Sequence, residues 1–284
     1  MFNLSAPGTT TPYDLELGLQ TVSTFNWYII PIFVILFYAI WKNLHEKRYS
    51  VVFGGFAFWL WDVFNETWNS MVYATTGQPV WGTTTAGKSA FQILIGYNIE
   101  ISFMFMFLGM ATCYMLTVTP GYEGERFWDG NKNWLSDPNN MYYKANVRSK
   151  DLTAEEKKTK KKAVMKRISV IVIGSISAVI VEILLNYCDV LTWEKPWWQP
   201  NFPFILFLIG YVPFFVAACV IHDLPRKWQL IGLGAELALV VGLLIISGSL
   251  GMLGHQITVT GDTWTWTGKW WTEGMNAVHT ITGA

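Results

Sequence analysis

Six long apolar runs divide this 284-residue sequence, and they restrict its fold more than any other feature. They occupy roughly 22–42, 51–74, 91–118, 168–188, 202–222 and 229–253. Each is long enough for a helix that crosses a hydrocarbon core, which takes about 20 apolar residues. Only 14% of the residues are charged, against roughly a quarter in soluble domains. The sequence therefore predicts an all-α bundle of six transmembrane helices, a multi-pass protein of a cell membrane or an endomembrane.

Lysine and arginine predict the orientation of these helices. Seventeen of the twenty follow the first, third and fifth runs, and the other three are Lys88, Lys195 and Lys269. Basic loops are retained on the inner side of a membrane. We therefore expect both termini outside, with an outer tail at 1–21, helices 1–3 at 22–118, a charged inner loop at 119–167, helices 4–6 at 168–253 and a Trp-rich outer tail at 254–284.

Segments beside the runs carry further signals. Thr153 and Glu156 have the spacing of a capping box, so the lysine-rich part of the inner loop is expected to form a helix that enters the fourth run. Its lysines act as a topology signal or as an anchor for anionic lipid. The tail alternates around Gly261-Asp262, which predicts a small β-hairpin. Outer tryptophans are expected to anchor the interface; among them are Trp81, Trp193, Trp197 and Trp198.

A short internal echo links two of the runs. LIGY occurs at 94–97 and again at 208–211, each time early in a run that enters from the outer side. Each copy follows a run with embedded acids and an outer loop that contains proline and tryptophan. Runs two and three are therefore candidates for a repeat of the same unit as runs four and five.

The second run contains FWLWDVFNETWN at 58–69, which places carboxylates inside a bilayer. Asp62, Asn65, Glu66 and Asn69 share one helix face because positions i, i+3, i+4 and i+7 stack. Counted at about 1.5 Å per residue from an inner boundary at 51, Asp62 lies roughly 16 Å deep and Glu66 about 22 Å. The second run therefore carries an acidic face through the middle of the membrane.

Other runs also contain embedded acids, and no Lys, Arg or His lies at comparable depth. Glu182 shares a face of the fourth run with Asn186, and Glu100 lies beside Tyr97 and Asn98 in the third. A charge at mid-bilayer costs about 2.5–3.5 kcal/mol on insertion scales. Each acid must therefore be protonated, hydrated in a cavity or neutralised by a bound group.

Several kinds of site are excluded by the residues that are missing. A retinal Schiff base needs a lysine inside a helix, and membrane haem or a di-iron hydroxylase needs embedded histidines. The sequence contains no nucleophile elbow, phosphate loop, zinc signature or nucleic-acid-binding motif. We therefore expect no cofactor, no metal site and no nucleic acid, and a site made of carboxyls, amides and aromatic rings.

The first hypothesis is an acid–base enzyme of the cyclase or isomerase type, acting on a hydrophobic isoprenoid or lipid. Burial among indole rings favours the neutral acid, which can protonate an alkene or epoxide, and a second carboxylate can remove a proton. Aromatic faces stabilise the intervening cation. The candidate catalytic residues are Asp62, Glu66, Glu182 and Glu100, and the candidate substrate-binding residues are Trp59, Trp61, Asn65, Trp68, Asn69, Tyr97, Asn98 and Asn186.

A resemblance points the same way. The stretch NWYIIPIFVILFYAIWKNLHEKRYSVVFGGFAFWLWD resembles the opening of the small integral-membrane terpene cyclases of meroterpenoid and indole-diterpene pathways. That resemblance implies that Trp61-Asp62 is their Trp–acid pair and that Asp62 is the acid. It covers about forty of the 284 residues, and those cyclases have seven segments, so it does not assign a second acid. Glu182 is chosen for that role from its depth alone.

Two alternatives stay open. A transporter or channel for a cation or proton would use the same carboxylates and amides as oxygen ligands, with Pro31 and Pro213 breaking helices beside the site. A non-catalytic subunit of a larger membrane complex would instead use the Met-rich run ISFMFMFLGM to pack against partners. The expected partners are accordingly a hydrophobic small molecule or lipid, a cation, or further subunits of an oligomer.

Overall fold

The protein is mostly helical, and six helices account for its architecture. The computed structural model describes residues 27–76, 79–83, 92–94, 96–117, 125, 127, 153–188, 191–253, 256–260, 263–267 and 276–277. Within these residues the helices are α1 (Ile29–His45), α2 (Tyr49–Thr76), α3 (Ile99–Thr117), α4 (Ala154–Tyr187), α5 (Pro203–Asp223) and α6 (Arg226–Ser249). The short strands are β1 (Trp81–Thr83), β2 (Gln92–Leu94), β3 (Tyr97–Asn98), β4 (Leu191–Trp193), β5 (Gln256–Thr260), β6 (Thr263–Thr267) and β7 (Asn276–Ala277).

Four described helices are long and apolar enough to cross a membrane: α3, residues 161–187 of α4, α5 and α6. The helix α1 is apolar but only 17 residues long. The helix α2 has 28 residues, and its buried face includes Asp62, Glu66 and Asn69. Six spans and outer termini therefore remain predictions. The predicted tail at 1–21 and the start of the first run at 22 lie outside the described residues, as does most of the inner loop.

The helix α2 lies at the centre and contacts α1, α3, α5 and α6, whereas α4 packs mainly against α5 and touches α3 only lightly. The main core forms where α2, α3 and α5 meet. Phe58 is fully buried there, with its ring 5.2 Å from that of Phe214 and 5.1 Å from that of Phe215. Between helices in a membrane such rings associate through close van der Waals packing, so the fit of this cluster sets the position of the central helix.

Two helix boundaries differ from the predicted runs for visible reasons. The third run begins at 91, but α3 begins at Ile99, since β2 and β3 pair first and the Asn98 side chain accepts the Ile101 N–H at 2.8 Å. Inside α5, residues Leu206–Tyr211 form a π-helical turn. Pro213 follows that turn and has no N–H to offer the carbonyl four residues earlier, which explains the wider turn.

Two predictions about local structure are confirmed. The lysine-rich segment is helical, and α4 runs without a break for 34 residues from Ala154 into the fourth run. At the other end of the chain, β5 and β6 pair antiparallel from Gln256↔Thr267 to Thr260↔Thr263, as in the predicted hairpin, and residues 261–262 lie outside the described residues.

A buried ionic network joins the ends of α2, α3, α5 and α6 to Arg167, which lies within α4. The Arg167 guanidinium donates to both oxygens of Asp223, at 2.7 and 3.0 Å. His222 bridges Asp223 and the Thr117 hydroxyl, at 2.9 and 2.8 Å. A second pair joins Arg226 to Glu125 at 2.5 Å, and Glu125 also accepts the Ser50 N–H and hydroxyl. The sequence reading treated these arginines as part of the basic loops, but they are buried and paired.

Candidate functional site

Three of the four predicted catalytic acids line one cavity. The cavity has a volume of about 720 Å³ and lies between α3 and α4, with α5 behind it. Asp62, Glu66 and Glu182 lie at what we call its strand end, beside Trp81 of β1 and Trp198 of the loop after β4. Glu66 is close enough to both other acids for their charges to interact. The remaining wall is largely apolar.

Glu66 is held by a tryptophan from the neighbouring strand. The Trp81 indole N–H donates to Glu66 Oε1 at 2.8 Å. Asn69, one helical turn further along α2, positions that tryptophan, since its amide accepts the Val80 N–H at 2.7 Å and donates to the Trp81 carbonyl at 2.8 Å. The acidic face predicted for α2 therefore includes both Glu66 and the residue that positions its hydrogen-bond donor, since Asn69 holds the backbone of Trp81.

Glu182 on α4 is held in a similar way by more donors. The indoles of Trp193 and Trp198 donate to its Oε1 at 2.9 and 3.3 Å. Tyr211, at the end of the π-helical turn, lines the cavity with this glutamate. Trp193 is only 1% exposed and Trp198 only 4%, so these rings close the strand end of the cavity.

Unlike the two glutamates, Asp62 accepts no indole hydrogen bond from the described residues. Its side chain is 2% exposed, and its Oδ2 atom, like Glu66 Oε2, is buried without a hydrogen bond from any residue in the described part of the chain. The carboxyl group lies against the cavity one helical turn before Glu66. Leaving a buried polar atom unpaired costs about 1–3 kcal/mol, so this position is suited to a bound molecule that completes it.

The two glutamate sites are built alike, which explains the LIGY echo. The strands β1 and β4 pair antiparallel, with Trp81 opposite Trp193. A Cβ added to Gly96 would lie 2.7 Å from Trp81 Cδ1, and one added to Gly210 would lie 2.9 Å from Trp198 Cη2. In each half the LIGY glycine therefore leaves room for an indole that donates to the acid of the preceding helix.

Of the predicted binding residues, Asn65 and Trp68 line the cavity. The others have different contacts. Trp59 donates to the Tyr97 hydroxyl at 2.9 Å and to Ser102 at 2.8 Å. Trp61 stacks on Phe64 at 5.4 Å, and Asn186 donates to the Leu191 carbonyl at 3.1 Å. Asn69 and Asn98 hydrogen-bond to backbone groups, as described above, and so hold the segments around the site in position.

Glu100 is separate from the other three acids. Its carboxylate accepts a hydrogen bond from the Tyr28 hydroxyl, next to α1, and it is not part of the cavity wall. In the described part of the chain, no three His, Cys, Asp or Glu side chains are grouped closely enough to hold one metal ion. The acids that do converge are therefore arranged around a cavity and do not surround a single point.

The sequence did not predict which residues donate hydrogen bonds to the acids or which residues pack beside those donors. Trp81, Trp193 and Trp198 were expected at the membrane interface, and Tyr211 and Gly210 appeared only within the LIGY echo. The available signal was that echo, because each copy follows a tryptophan-containing loop. The loop tryptophans turn back toward the bundle, and neither composition nor spacing reveals that direction.

Comparisons with known proteins give the family context. The model of a family described as "Uncharacterized membrane protein family" matches residues 13–123 and 141–249. A protein of Archaeoglobus fulgidus, described as "Uncharacterized protein", is 34% identical over 235 residues, which is 82% of this chain and 92% of that protein. No solved structure matches the chain.

The resemblance to terpene cyclases is wrong. The matches to this family and to the archaeal protein extend over most of the chain, and neither points to terpene cyclases. The resembling stretch consisted of aromatic and aliphatic residues that are common in membrane helices, together with one Trp-Asp pair. The role of Asp62 therefore depends on its own surroundings in the structure.

Proposed function

The chain belongs to this membrane protein family, and we propose that it is an acid–base enzyme that shifts a proton within a lipid-soluble substrate. One observation carries the proposal: Asp62, Glu66 and Glu182 meet at the closed end of an apolar cavity. Among the cavity-lining residues that the structure describes, the one basic side chain is Lys166, on the turns of α4 furthest from Glu182. Acids grouped inside a membrane without a cationic partner lower the stability of the protein. Their presence therefore favours a functional role.

The contacts of the acids favour different roles for them. Glu66 and Glu182 accept indole N–H bonds and are suited to receive a proton, whereas Asp62 lines the cavity without an indole donor among the described residues. Asp62 would give its proton to one alkene carbon, forming a C–H bond and a neighbouring carbocation. Glu66 or Glu182 would take a proton from the next carbon, breaking a C–H bond and re-forming the double bond one position along. Such an isomerisation needs no oxidant or reductant.

Aromatic rings around the acids support this chemistry. Trp68, Trp81 and Trp198 line the cavity at the acids, and the rings of Trp81 and Trp198 lie 5.1 Å apart. Their faces carry partial negative charge, which stabilises a cation that forms beside them. The same rings cover the strand end, which protects a carbocation from water.

The transport hypothesis has less support from the geometry for a metal cation, since the described acids do not group around one ion, and transport of a proton stays a prediction of the sequence. The subunit hypothesis remains a prediction of the sequence.

The proposal is tested by deuterium uptake. Membranes that contain the protein are incubated in D₂O, and their lipids are analysed by mass spectrometry. Because Asp62 exchanges its proton with solvent, we expect a lipid that gains deuterium with the wild type and not with Asp62→Asn. Glu100→Gln is the matched control, because Glu100 lies outside the cavity, and it should label like the wild type. Equal labelling by wild type and Asp62→Asn, or no labelled lipid at all, would contradict the proposal.

A further inference from the structure

The cavity extends far beyond the acids. Its wall on α4 follows one helix face from Lys166 through Val170, Ile173, Ser177 and Val181 to Leu185. Lys166 and Leu185 are nineteen residues apart, which corresponds to about 28 Å along a helix. A bilayer hydrocarbon core is about 30 Å thick. The cavity therefore spans nearly the whole thickness of the core, which the chains of two leaflets fill together, so a single long chain can occupy it only when fully extended.

The two ends of the cavity carry opposite charge. The acids lie at the strand end, and Lys166 lies at the other end, which we call the lysine end. Lys158 and Lys162 precede Lys166 at steps of four residues, so the three lysines form a row along α4 that leads to the lysine end, where Lys166 lines the cavity. Lys158 and Lys162 are exposed. The row is placed to attract an anion to the lysine end.

The cavity is open along its side. Met104, Phe107 and Met115 of α3 and Ile173 and Val181 of α4 all line it, and each is between 44% and 63% exposed. At the strand end, by contrast, the buried Trp193 and Trp198 cover the acids. A chain can therefore enter sideways between α3 and α4, while a bulky polar head group cannot pass the strand end.

From this arrangement we infer that the ligand is a long-chain anionic amphiphile whose head group binds at Lys166 and whose chain end reaches Asp62, Glu66 and Glu182. The inference rests on the proposed function for what happens at the chain end. Its charge complementarity comes from the lysine row, and its length comes from the α4 wall. Phosphate and carboxylate head groups share the required chemistry.

The test measures binding to the purified protein in a non-ionic detergent. The probes are oleyl phosphate, oleate and, as the neutral probe of the same chain length, oleyl alcohol. Inorganic phosphate serves as the head group alone. We expect at least one anionic probe to bind about fivefold or more tightly than oleyl alcohol, the effect of one lysine near an anionic head group. Lys166→Gln should remove that preference and leave oleyl alcohol unchanged.

Lys161→Gln is the matched control. It removes the same charge from the same helix, but Lys161 is exposed and is not part of the cavity wall. Equal affinity for oleyl alcohol and both anions would overturn the inference, as would an equal loss in Lys161→Gln and Lys166→Gln, which would indicate general attraction to the basic surface. Tight binding of inorganic phosphate alone would also overturn it, since the chain would then be irrelevant.

The outcome is separable from that of the proposed function. Binding is compared between the wild type and Lys166→Gln, and deuterium uptake between the wild type and Asp62→Asn, so each result is obtained on its own variant. An anion preference without deuterium uptake would leave the inference standing and refute the enzyme. Deuterium uptake without an anion preference would support the enzyme and refute the inference about the ligand.

Discussion

Indole N–H groups hold the buried glutamates of this protein in position. Trp81 and Trp193 stand opposite each other on paired strands, and each donates to a glutamate of a different helix. A carboxylate in an apolar interior needs such donors, because hydrogen bonds to charged groups are worth roughly 1.5–3 kcal/mol. The tryptophans therefore orient the acids and also exclude solvent from them.

Replacing Trp193 by phenylalanine tests this role. The change keeps an aromatic ring in the buried position but removes the donor to Glu182, which leaves Trp198 as the indole at that carboxylate. We expect the free energy of unfolding to fall by about 1.5–3 kcal/mol, and the melting temperature in detergent to fall with it. Trp197→Phe is the control, since Trp197 is 41% exposed. Equal melting of the two variants would rule out an important bond to Glu182.

At the scale of elements, one unit occurs twice. A helix with an acid leads to a strand and loop with tryptophan, then to LIGY, then to a returning helix: α2, β1 and α3 in the first half, and α4, β4 and α5 in the second. The family model also matches in two stretches, 13–123 and 141–249, each of which contains one such unit. The units differ most at LIGY, because Gly96 precedes a short strand and Gly210 lies in a π-helical turn.

Gly210→Ala tests the fit of the second unit. The added methyl group would lie 2.9 Å from Trp198 Cη2 and must displace that ring from Glu182. We expect a loss of about 1–3 kcal/mol in stability, the usual effect of overpacking, together with weaker binding of the anionic probes.

Gly234→Ala is the matched control for that substitution. Nothing lies within 4 Å of its added Cβ, so the variant should melt at or above the wild-type temperature, because alanine is the better helix former. A stable Gly210→Ala with wild-type binding would show that the indole has room to spare.

The elements were largely readable from the sequence, but their contacts were not. Apolar runs predicted the helices α2, α5 and α6 and the end of α4 near their observed bounds, because a 20-residue apolar stretch has few other structures available. The start of α3 was missed, since β2 and β3 pair within the apolar run and the Asn98 side chain accepts the Ile101 N–H where the helix begins. For the site, one face of α2 was enough to bring Asp62 and Glu66 together. Glu182 joined them through packing, which no single helix encodes.

At the scale of the whole molecule, the arrangement of the helices has one clear asymmetry. The helix α2 is surrounded by α1, α3, α5 and α6, while α4 leans on α5 and leaves the cavity between itself and α3. The order of helices around a bundle depends on shape complementarity between distant segments, so it could not be predicted from apolar runs. The buried pair of Arg167 and Asp223 was hidden for the same reason.

The orientation of the molecule is tested by its own cysteines. Cys188 is exposed at the end of α4, whereas Cys113 and Cys219 are buried. If basic loops lie inside, Cys188 faces outward and should react with a membrane-impermeant maleimide on intact cells.

Cys188→Ser should lose that reaction. A cysteine introduced by Lys158→Cys in the Cys188→Ser protein should react only after permeabilisation. The opposite pattern would reverse the predicted topology.

If the amphiphile inferred above enters sideways between α3 and α4, that opening also determines how the protein encounters it. A molecule that arrives through the bilayer is encountered in two dimensions, so its effective concentration is a mole fraction of the lipid and not a molarity in the buffer. Diluting the membrane with inert lipid should therefore lower occupancy at a constant total amount of ligand. The distance between the lysine row and the acids then selects ligands by length, since it matches only chains of a limited range of lengths.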